Sequence, residues 1–481
     1  MRMIRRTILA AMAGAALTTA AAVPYAAVAE VIPNPVISRN CPAYSGDNPA
    51  TAVAANDEHY FSFAFLKAPD YLAYDLSGVP EEERKQVIAV WYNTSSYDKL
   101  GAYANANMEP TDYTVEVNAA PGGDYPQDGW VVVDTVEGAT YGSRQHLVDF
   151  EGYNWIRLNV AKADGKEGSQ ASVNFDIHNV SEGVSDSWIF FGDSITAMSM
   201  NNCYGTGFAT HVNEIDSRYF PVQENGGIGG ITSTDGKENI DRWLSFSPAK
   251  YVSIAYGTND CWGNPGNTET YYENTKYMID AILAAGKIPV LGKIPGSTNS
   301  DVGPNVPLYN AKVEQLWEEY GDKLVQGPDL EAFFTEHPEY LSEQDGVHPT
   351  SEGQDAMRKL WAETMYERVY TAQQPATDPA TEPVTDPVTA PTDSDVLWGD
   401  ANEDGKVDLS DAVAILQHIA LEQKYGLSEY GKKAADVVDT GDSGITGMDA
   451  LAIMMIDAKL LTEDDIPLTS EELDQIGKQG S

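Results

Sequence analysis

The chain has 481 residues, more than one ordinary domain holds, so several domains are expected. It carries 73 acidic residues against 30 Lys and Arg, a net charge of −43. Such a field repels nucleic acid and anionic membrane surfaces, and neither is an expected partner.

The first residues have the pattern of a secretion signal. Arg2, Arg5 and Arg6 precede an alanine-rich apolar run, and Ala27-Val28-Ala29 fits a cleavage site. We therefore predict a signal peptide over residues 1–29 and a secreted, extracellular protein. No later segment approaches the length that spans a bilayer.

The chain has only three cysteines, Cys41, Cys203 and Cys261, too few for a disulfide framework. Two alternatives remain open for Cys203 and Cys261. They form one bridge if their loops line the same site, and otherwise they are unpaired buried thiols.

Residues 31–185 are predicted to be all-β. Short apolar or alternating runs are separated by turns rich in Gly, Pro, Asn and Asp, a spacing typical of a β-sandwich of jelly-roll type. Such domains often bind carbohydrate, but the sequence does not separate exposed aromatic residues from buried ones. The runs are Tyr60–Phe65, Val87–Tyr92, Trp130–Val133 and Trp155–Val160.

Residues 186–370 alternate between strand and helix patterns, which indicates a parallel sheet with helices on both faces. Strands are predicted at 188–191, 251–256 and 288–291. A helix with Tyr271 and Ile282 on its apolar face should stop at Gly286. A closing helix should follow the capping-box spacing Ser351-x-x-Gln354.

Residues 371–394 are a linker. Proline recurs every fourth residue from Pro375 to Pro391 with threonine in step, which predicts an extended tether without a core.

Residues 395–465 form a small helical module with a predicted Ca²⁺ loop, followed by a tail over 466–481. The loop starts at Asp400, has glycine at position 6, and continues into a helix over 412–421. Asp replaces the usual Glu at position 12. The predicted ligands are Asp400, Asn402, Asp404, Lys406, Asp408 and Asp411 at positions 1, 3, 5, 7, 9 and 12.

A second, less regular copy precedes the apolar run Ala450–Met454. Counted back from Asp449, Thr446 takes position 9 and Asp442 takes position 5, but Val438 falls at position 1. Asp436 serves as the first ligand only if the loop holds two extra residues.

This duplicated loop–helix module resembles a dockerin. The resemblance implies two structural Ca²⁺ ions and, as partner, a cohesin domain of a scaffoldin in a cellulosome. It also implies that Leu409-Ser410 and Gly447-Met448, at loop positions 10 and 11, recognise the cohesin.

Four short sequence blocks follow one another along the 186–370 region. They are Gly192-Asp193-Ser194, Asn225–Gly230, Gly257-Thr258-Asn259-Asp260 and Asp345-Gly346-Val347-His348. Each block alone is weak, but together they resemble the SGNH (GDSL) hydrolases, whose fold is a flavodoxin-like α/β sheet. The expected strand order is 2-1-3-4-5, with Ser194 and Asn259 after its first and third strands.

A serine hydroxyl needs a base within hydrogen-bond reach, and His348 oriented by Asp345 is predicted to supply it for Ser194. The resemblance implies that the oxyanion is stabilised by the backbone N–H groups of Ser194 and Gly230 and by the amide of Asn259. No catalytic cofactor is implied.

The expected function is a secreted carbohydrate esterase that removes acetyl groups from plant-wall polysaccharide, first of all acetylated xylan. The expectation of a polysaccharide substrate rests on the dockerin resemblance and not on the residues of the site. Alternatives are a pectin or rhamnogalacturonan acetylesterase, a feruloyl esterase, a lipase, or a component that mainly binds carbohydrate. Trp262 and Tyr256 are candidates to stack on a sugar, and the alternative for Tyr256 is a place in the core.

Overall fold

The computed structural model describes residue 29 and residues 31–371, except 99, 101 and 106, and parts of 396–472. The expected signal peptide, the linker and most of the C-terminal tail lie outside the described residues. The chain divides into two compact units, residues 1–377 and 378–481. Among the described residues, no helix is long and apolar enough to cross a membrane.

The strands that the structure describes all lie in unit 1. In chain order they are β1 Ala43–Ser45, β2 Ala64–Lys67, β3 Asp70–Asp75, β4 Gln86–Tyr92, β5 Ser96–Asp98, β6 Ala102–Asn105, β7 Pro110–Asn118, β8 Val131–Val136, β9 Ser143–Asp149, β10 Trp155–Ala163, β11 Gln170–Asn179, β12 Ser187–Gly192, β13 Val222–Gly229, β14 Tyr251–Ala255, β15 Ile288–Leu291 and β16 Val325–Gln326.

The α-helices among the described residues of unit 1 all follow β12. They are α1 Ser194–Ser199, α2 Phe208–Ile215, α3 Ser233–Phe246, α4 Thr258–Cys261, α5 Thr268–Ala284, α6 Val306–Tyr320, α7 Leu330–Glu336 and α8 Ser351–Met365. Unit 2 contributes α9 Leu409–Ala420, α10 Glu429–Ala435 and α11 Gly447–Asp457.

Residues 31–185, the N-terminal β region, form two antiparallel sheets, β1-β3-β10-β7-β8 and β2-β11-β4-β9. Apolar side chains from both sheets, such as Leu72 and Phe175, belong to one buried cluster. The predicted strand over 60–65 begins only at Ala64, because Ser62 N donates to His59 O and turns the chain there. The jelly-roll connectivity stays a prediction.

Residues 186–371, the α/β region, are built on a parallel sheet ordered β16-β15-β14-β12-β13. This is the expected 2-1-3-4-5 order, and buried runs such as Trp188–Phe191 supply its core. Helix α5 stops at Gly286, as predicted, with a φ of 73°. Helix α8 is capped one residue earlier than predicted, since Thr350 Oγ1 accepts from Gly353 N at 3.1 Å.

The parallel sheet also contains two strands that the sequence did not predict. Strand β5 pairs in parallel with β13, through Ile228 with Tyr97 and Gly229 with Asp98, and β6 pairs with β5. The N-terminal β region therefore extends the sheet of the α/β region. Side chains bind the two regions as well: Asn225 N donates to Ser143 Oγ at 2.8 Å, and Gln145 Nε2 donates to Trp188 O at 3.2 Å.

In unit 2, α9, α10 and α11 enclose a small apolar core that includes Ile415, Val437 and Ile453. Helix α9 begins at Leu409, three residues before the predicted start.

A buried carboxyl group lies where the two regions of unit 1 meet. Glu224 on β13 is 2% exposed and accepts from Gln145 N at 3.3 Å. Burial raises the pKa of Glu224 from 4.5 to about 7, against the smaller opposing effect of Arg144.

Glu224→Gln should change how stability depends on pH. Because the folded-state pKa is raised, the contribution of Glu224 to stability is full below the unfolded value of 4.5, and it falls by up to about 1.4 kcal/mol per pH unit as pH rises towards the folded value. Denaturant titrations at pH 5 and pH 8 should show that the Gln variant gains relative stability at pH 8. The exposed Glu318→Gln is the control, and an equal change in both variants would contradict the expectation.

Candidate active site

The Ser194 hydroxyl is placed by an abrupt change from strand to helix. Strand β12 ends at Gly192 and α1 begins at Ser194, with Asp193 as its N-cap accepting from Ile195 N at 3.0 Å. A Cβ at position 192 would lie 2.8 Å from Ala255 O, so glycine is required there. Ser194 is therefore half-buried at the carboxyl edge of the sheet.

The predicted base and its orienting carboxylate meet the serine. Ser194 Oγ lies 2.8 Å from His348 Nε2, and His348 Nδ1 lies 2.7 Å from Asp345 Oδ2. These three side chains form a continuous hydrogen-bonded chain. With Ser194 donating to Nε2, Nδ1 carries the proton that faces Asp345.

Asp345 is held as a carboxylate by its own turn. Its Oδ1 accepts from the backbone N–H groups of Val347 and His348, at 2.9 and 3.0 Å. Partial burial acts to raise the pKa of Asp345, but the hydrogen bonds from His348 and these amides outweigh it and lower the pKa. Residues 345–348, the catalytic turn, thus keep a negative charge behind the imidazole.

The two other predicted groups lie at the ends of the strands that flank β12. Gly230 follows β13 with a φ of 73° and is exposed, and Asn259 lies in α4, directly after β14. Asn259 Nδ2 donates to Ile231 O at 2.8 Å, and this bond orients the amide. A primary amide has two N–H groups, so one remains for a substrate.

A loop that the sequence analysis did not single out supports the catalytic turn. In residues 297–305, the bridging loop, Ser297 Oγ and Thr298 N donate to Gly346 O at 2.6 and 3.0 Å, and Asn299 Nδ2 donates to Asp345 O at 2.8 Å. At the other end of the loop, Asn305 Nδ2 donates to Cys261 O at 2.8 Å.

The bridging loop therefore ties the turn that carries His348 to the helix that carries Asn259. The only signal in the sequence was the polar run Gly296–Asp301 after a buried strand, which is also what any surface loop shows.

Two buried side chains reinforce the site. Asp260 accepts from Ser233 N at 2.9 Å and joins α4 to the start of α3. Arg358, on α8, is fully buried and donates to Ser199 O and Tyr204 O, both at 2.8 Å. It fastens the helix that follows the catalytic turn to the end of the helix that carries Ser194.

The exposure of four further residues decides between the alternatives that the sequence left open. Cys203 and Cys261 are buried free thiols, so the unpaired alternative is the one observed. Tyr256 is 3% exposed and belongs to the core, whereas Trp262 is 42% exposed beside α4.

The predicted Ca²⁺ ligands of the first loop are described in part. Asp400 and Asp411 are buried, Asp411 Oδ1 accepts from Asn402 N at 3.0 Å, and Lys406 is exposed. Asp404 and Asp408 lie outside the described residues. The two buried carboxylates fit a hard, oxygen-seeking cation.

The second loop gives less support for a metal. Asp449 is fully buried, but its Oδ1 accepts from Val437 N and Val438 N at 2.8 Å and its Oδ2 from Thr446 N at 2.7 Å. Asp436 is half-buried, and Asp442 lies outside the described residues. Within the described part of the chain, no group of three His, Cys, Asp or Glu side chains is placed to hold a metal ion.

Comparison with known families identifies two domains. Residues 190–356 match the GDSL-like lipase/acylhydrolase family, and residues 398–456 match the dockerin type I domain. The chain thus has a GDSL-like lipase/acylhydrolase domain followed by a dockerin type I domain, and both resemblances are confirmed.

Two curated relatives come from Ruminococcus flavefaciens. A multidomain esterase is 25% identical over 237 residues, 48% of this chain and 29% of that protein. A xylanase/beta-glucanase is 43% identical over 74 residues, 14% of this chain and 9% of that protein. The chain spans less than a third of the length of either relative.

Solved structures show more distant likeness. Protein YxiM of Bacillus subtilis is 16% identical, with 69% of this chain and 93% of that chain covered at a TM-score of 0.37. An acetylxylan esterase of Geobacillus stearothermophilus is 21% identical, with 39% and 94% covered at a TM-score of 0.31.

Asn299→Ala should lower turnover of a simple ester such as p-nitrophenyl acetate. Without its bond to Asp345 O the catalytic turn can shift, and misplacement of that order costs about 10- to 100-fold in rate. We expect kcat to fall with little change in KM. Asn239→Ala, which removes a side-chain bond to Asp235 O on α3, is the matched control. A normal kcat for Asn299→Ala would show that the bridging loop does not position the turn.

Proposed function

We propose that the chain is an esterase in which Ser194, His348 and Asp345 carry out acyl transfer. The single observation that carries this proposal is the continuous chain of hydrogen bonds, 2.8 Å from Ser194 Oγ to His348 Nε2 and 2.7 Å from His348 Nδ1 to Asp345 Oδ2. A base within this reach of a serine hydroxyl is the arrangement that activates it.

The reaction then takes two steps. Ser194 Oγ attacks the ester carbonyl carbon while its proton passes to His348 Nε2, and the leaving alcohol takes that proton as the acyl-enzyme forms. Water, deprotonated by His348, attacks the acyl-enzyme, and the proton returns to Ser194 as the acid leaves. Asp345 stabilises the imidazolium in both steps.

The negative charge that develops on the carbonyl oxygen needs hydrogen-bond donors. We propose the backbone N–H groups of Ser194 and Gly230 and the second N–H of Asn259. All three residues follow neighbouring strands of the sheet, so their donors lie at one edge.

Variants of Ser194 and Asn259 test the mechanism on the full chain. Ser194→Ala should abolish acyl-enzyme formation and release of acetate from p-nitrophenyl acetate. Asn259→Ala should lower kcat by about 10²–10³, the loss typical of one oxyanion donor. Turnover by Ser194→Ala would refute the proposed nucleophile, and an unchanged kcat for Asn259→Ala would remove that residue from the oxyanion site.

We propose acetyl groups on plant-wall polysaccharide, first of all acetylated xylan, as the substrate. The support is the dockerin domain, together with a matched relative named xylanase/beta-glucanase. Release of acetate from acetylated xylan should exceed release from acetylated pectin and hydrolysis of feruloyl or long-chain esters. The reverse order would favour one of the other GDSL activities.

Trp262 is the exposed aromatic residue best placed to meet a sugar, because it comes three residues after Asn259. Trp262→Ala should raise KM for acetylated xylan about three- to tenfold, the range of one aromatic contact. The KM for p-nitrophenyl acetate should not change, and equal changes for both substrates would argue for a structural role of the indole.

For the dockerin domain we propose Ca²⁺ in the first loop, a second ion in the less regular loop, and a cohesin of an extracellular scaffoldin as partner. Asp400 and Asp411 would hold the first ion, and Leu409-Ser410 and Gly447-Met448 would contact the cohesin. Calorimetric titration of the EDTA-treated chain with CaCl₂ should give two sites. A single Ca²⁺ site would support metal binding by the first loop only. No site would contradict the proposal for both loops.

A further inference from the structure

A cavity of about 300 Å³ lies where the N-terminal β region meets α3. Its wall consists of residues 136–141 between β8 and β9, Arg144, Ile228, Arg242 and Trp243, with Leu100 at its edge. This volume reaches the lower end of the range for small-molecule sites. The neighbouring cavity behind Phe191, by contrast, holds about 20 Å³.

Arg144 presents to this cavity a guanidinium that has no carboxylate in direct contact, although its charge acts on the nearby Glu224 and Asp134. Its guanidinium lies over the rings of Phe246 and Tyr141, 4.2 and 5.3 Å from their centres, and its buried Nε has no hydrogen-bond partner. Among the other buried or half-buried arginines of unit 1, Arg39 and Arg358 are paired with carboxylates, whereas Arg84 donates to the backbone carbonyls of Val79 and Tyr153. Within the described part of the chain, no carboxylate lies within 4.0 Å of Arg144.

Arg242 supplies a second cation from α3. It is exposed, and Nη2 donates to the uncharged Asn239 Oδ1 at 3.1 Å. No described carboxylate pairs with it either. In a chain of net charge −43, two guanidinium groups on one cavity, neither in direct contact with a carboxylate, are an electrostatic signal for an anionic ligand.

Two acidic side chains face the same region. Glu137 is exposed and lines the cavity, and Glu224 lines the smaller neighbouring cavity, where it accepts from Gln145 N at 3.3 Å. Neither lies within 4.0 Å of Arg144 or Arg242, although the Arg144 charge opposes the effect of burial on the pKa of Glu224. The aromatic walls and the planar guanidinium groups favour a carboxylate on a ring-shaped ligand over a bare inorganic ion.

The position of Ile228 relates the cavity to the ester site. Ile228 lines the cavity and precedes the proposed oxyanion donor Gly230 by two residues, which span at most about 7 Å of backbone. Arg242 lies nine residues along α3 from Ser233, about 14 Å away, so a polysaccharide that meets both places would span more than one sugar unit.

We propose that this cavity is a subsite for a uronate substituent on the polysaccharide, bound through Arg144 and Arg242. This inference rests on the proposed function for its substrate, but the carboxylate site can be measured without any catalysis.

Binding is tested by calorimetric titration of the full chain with glucuronate, with glucose as the uncharged probe. Glucuronate should bind and glucose should bind at least about tenfold more weakly, as expected for loss of a charge-assisted contact. Arg144→Gln and Arg242→Gln should each weaken glucuronate binding about tenfold, and added salt should weaken it further. Arg218→Gln, which removes an exposed arginine paired with Asp216, is the control.

The exposed Arg242 keeps the test valid if Arg144→Gln fails to fold. Failure of the natural chain to bind glucuronate, equal binding of glucose, or equal loss in Arg218→Gln would overturn the subsite.

Kinetics separate the subsite from the proposed function. On acetylated xylan with and without uronate substituents, the natural chain should have a lower KM for the acidic polymer. Arg242→Gln should lose that difference while its kcat on p-nitrophenyl acetate stays normal. Equal KM values with active ester hydrolysis would refute the subsite alone. Glucuronate binding without any ester hydrolysis would refute the esterase and leave the carboxylate site standing.

Discussion

The 2.8 Å contact between Ser194 Oγ and His348 Nε2 joins residues 154 positions apart, and the α/β region is arranged around it. Strand β12 turns into α1 without a loop, which fixes the hydroxyl at the sheet edge. Opposite it, backbone amides fix Asp345, and the bridging loop and Arg358 fix the segments before and after the imidazole. Each of these hydrogen bonds has a backbone atom as one partner. The positions of Ser194, His348 and Asp345 therefore depend on the path of the backbone more than on any one side chain.

The N-terminal β region is part of the same construction. Strand β5 lies beside β13 at the end that leads to Gly230, and Asn201, just beyond α1, donates to Asn93 O at 3.1 Å. Strand β13 and the residues just beyond α1, the helix that begins at Ser194, thus both contact residues 93–98. A role in carbohydrate binding for the outer faces of this region stays a prediction.

Local sequence signals predicted much of this structure. The four short blocks predict one site: parallel strands bring their carboxyl ends together and so place Ser194 and Asn259 at one edge, and the family resemblance adds Asp345 and His348. The end of α5 at Gly286 followed from glycine's tolerance of positive φ.

Non-local features did not follow from the sequence. Strands β5 and β6 are short, and β5 pairs with a strand about 130 residues later, so no local periodicity announces it. The bridging loop reads as ordinary surface loop, and the cap at Thr350 competes with an equally good signal at Ser351. Nothing in the sequence around Arg144 indicates that it lacks a carboxylate in direct contact.

The addition of β5 to the parallel sheet limits how this protein can be rearranged. A recombination event near residue 186 would leave β13 as a bare sheet edge and remove the hydrogen bonds that Ser143 and Gln145 form with the backbone of Asn225 and Trp188. Gene shuffling can therefore replace the dockerin domain with another domain, but residues 31–371 have to be kept together.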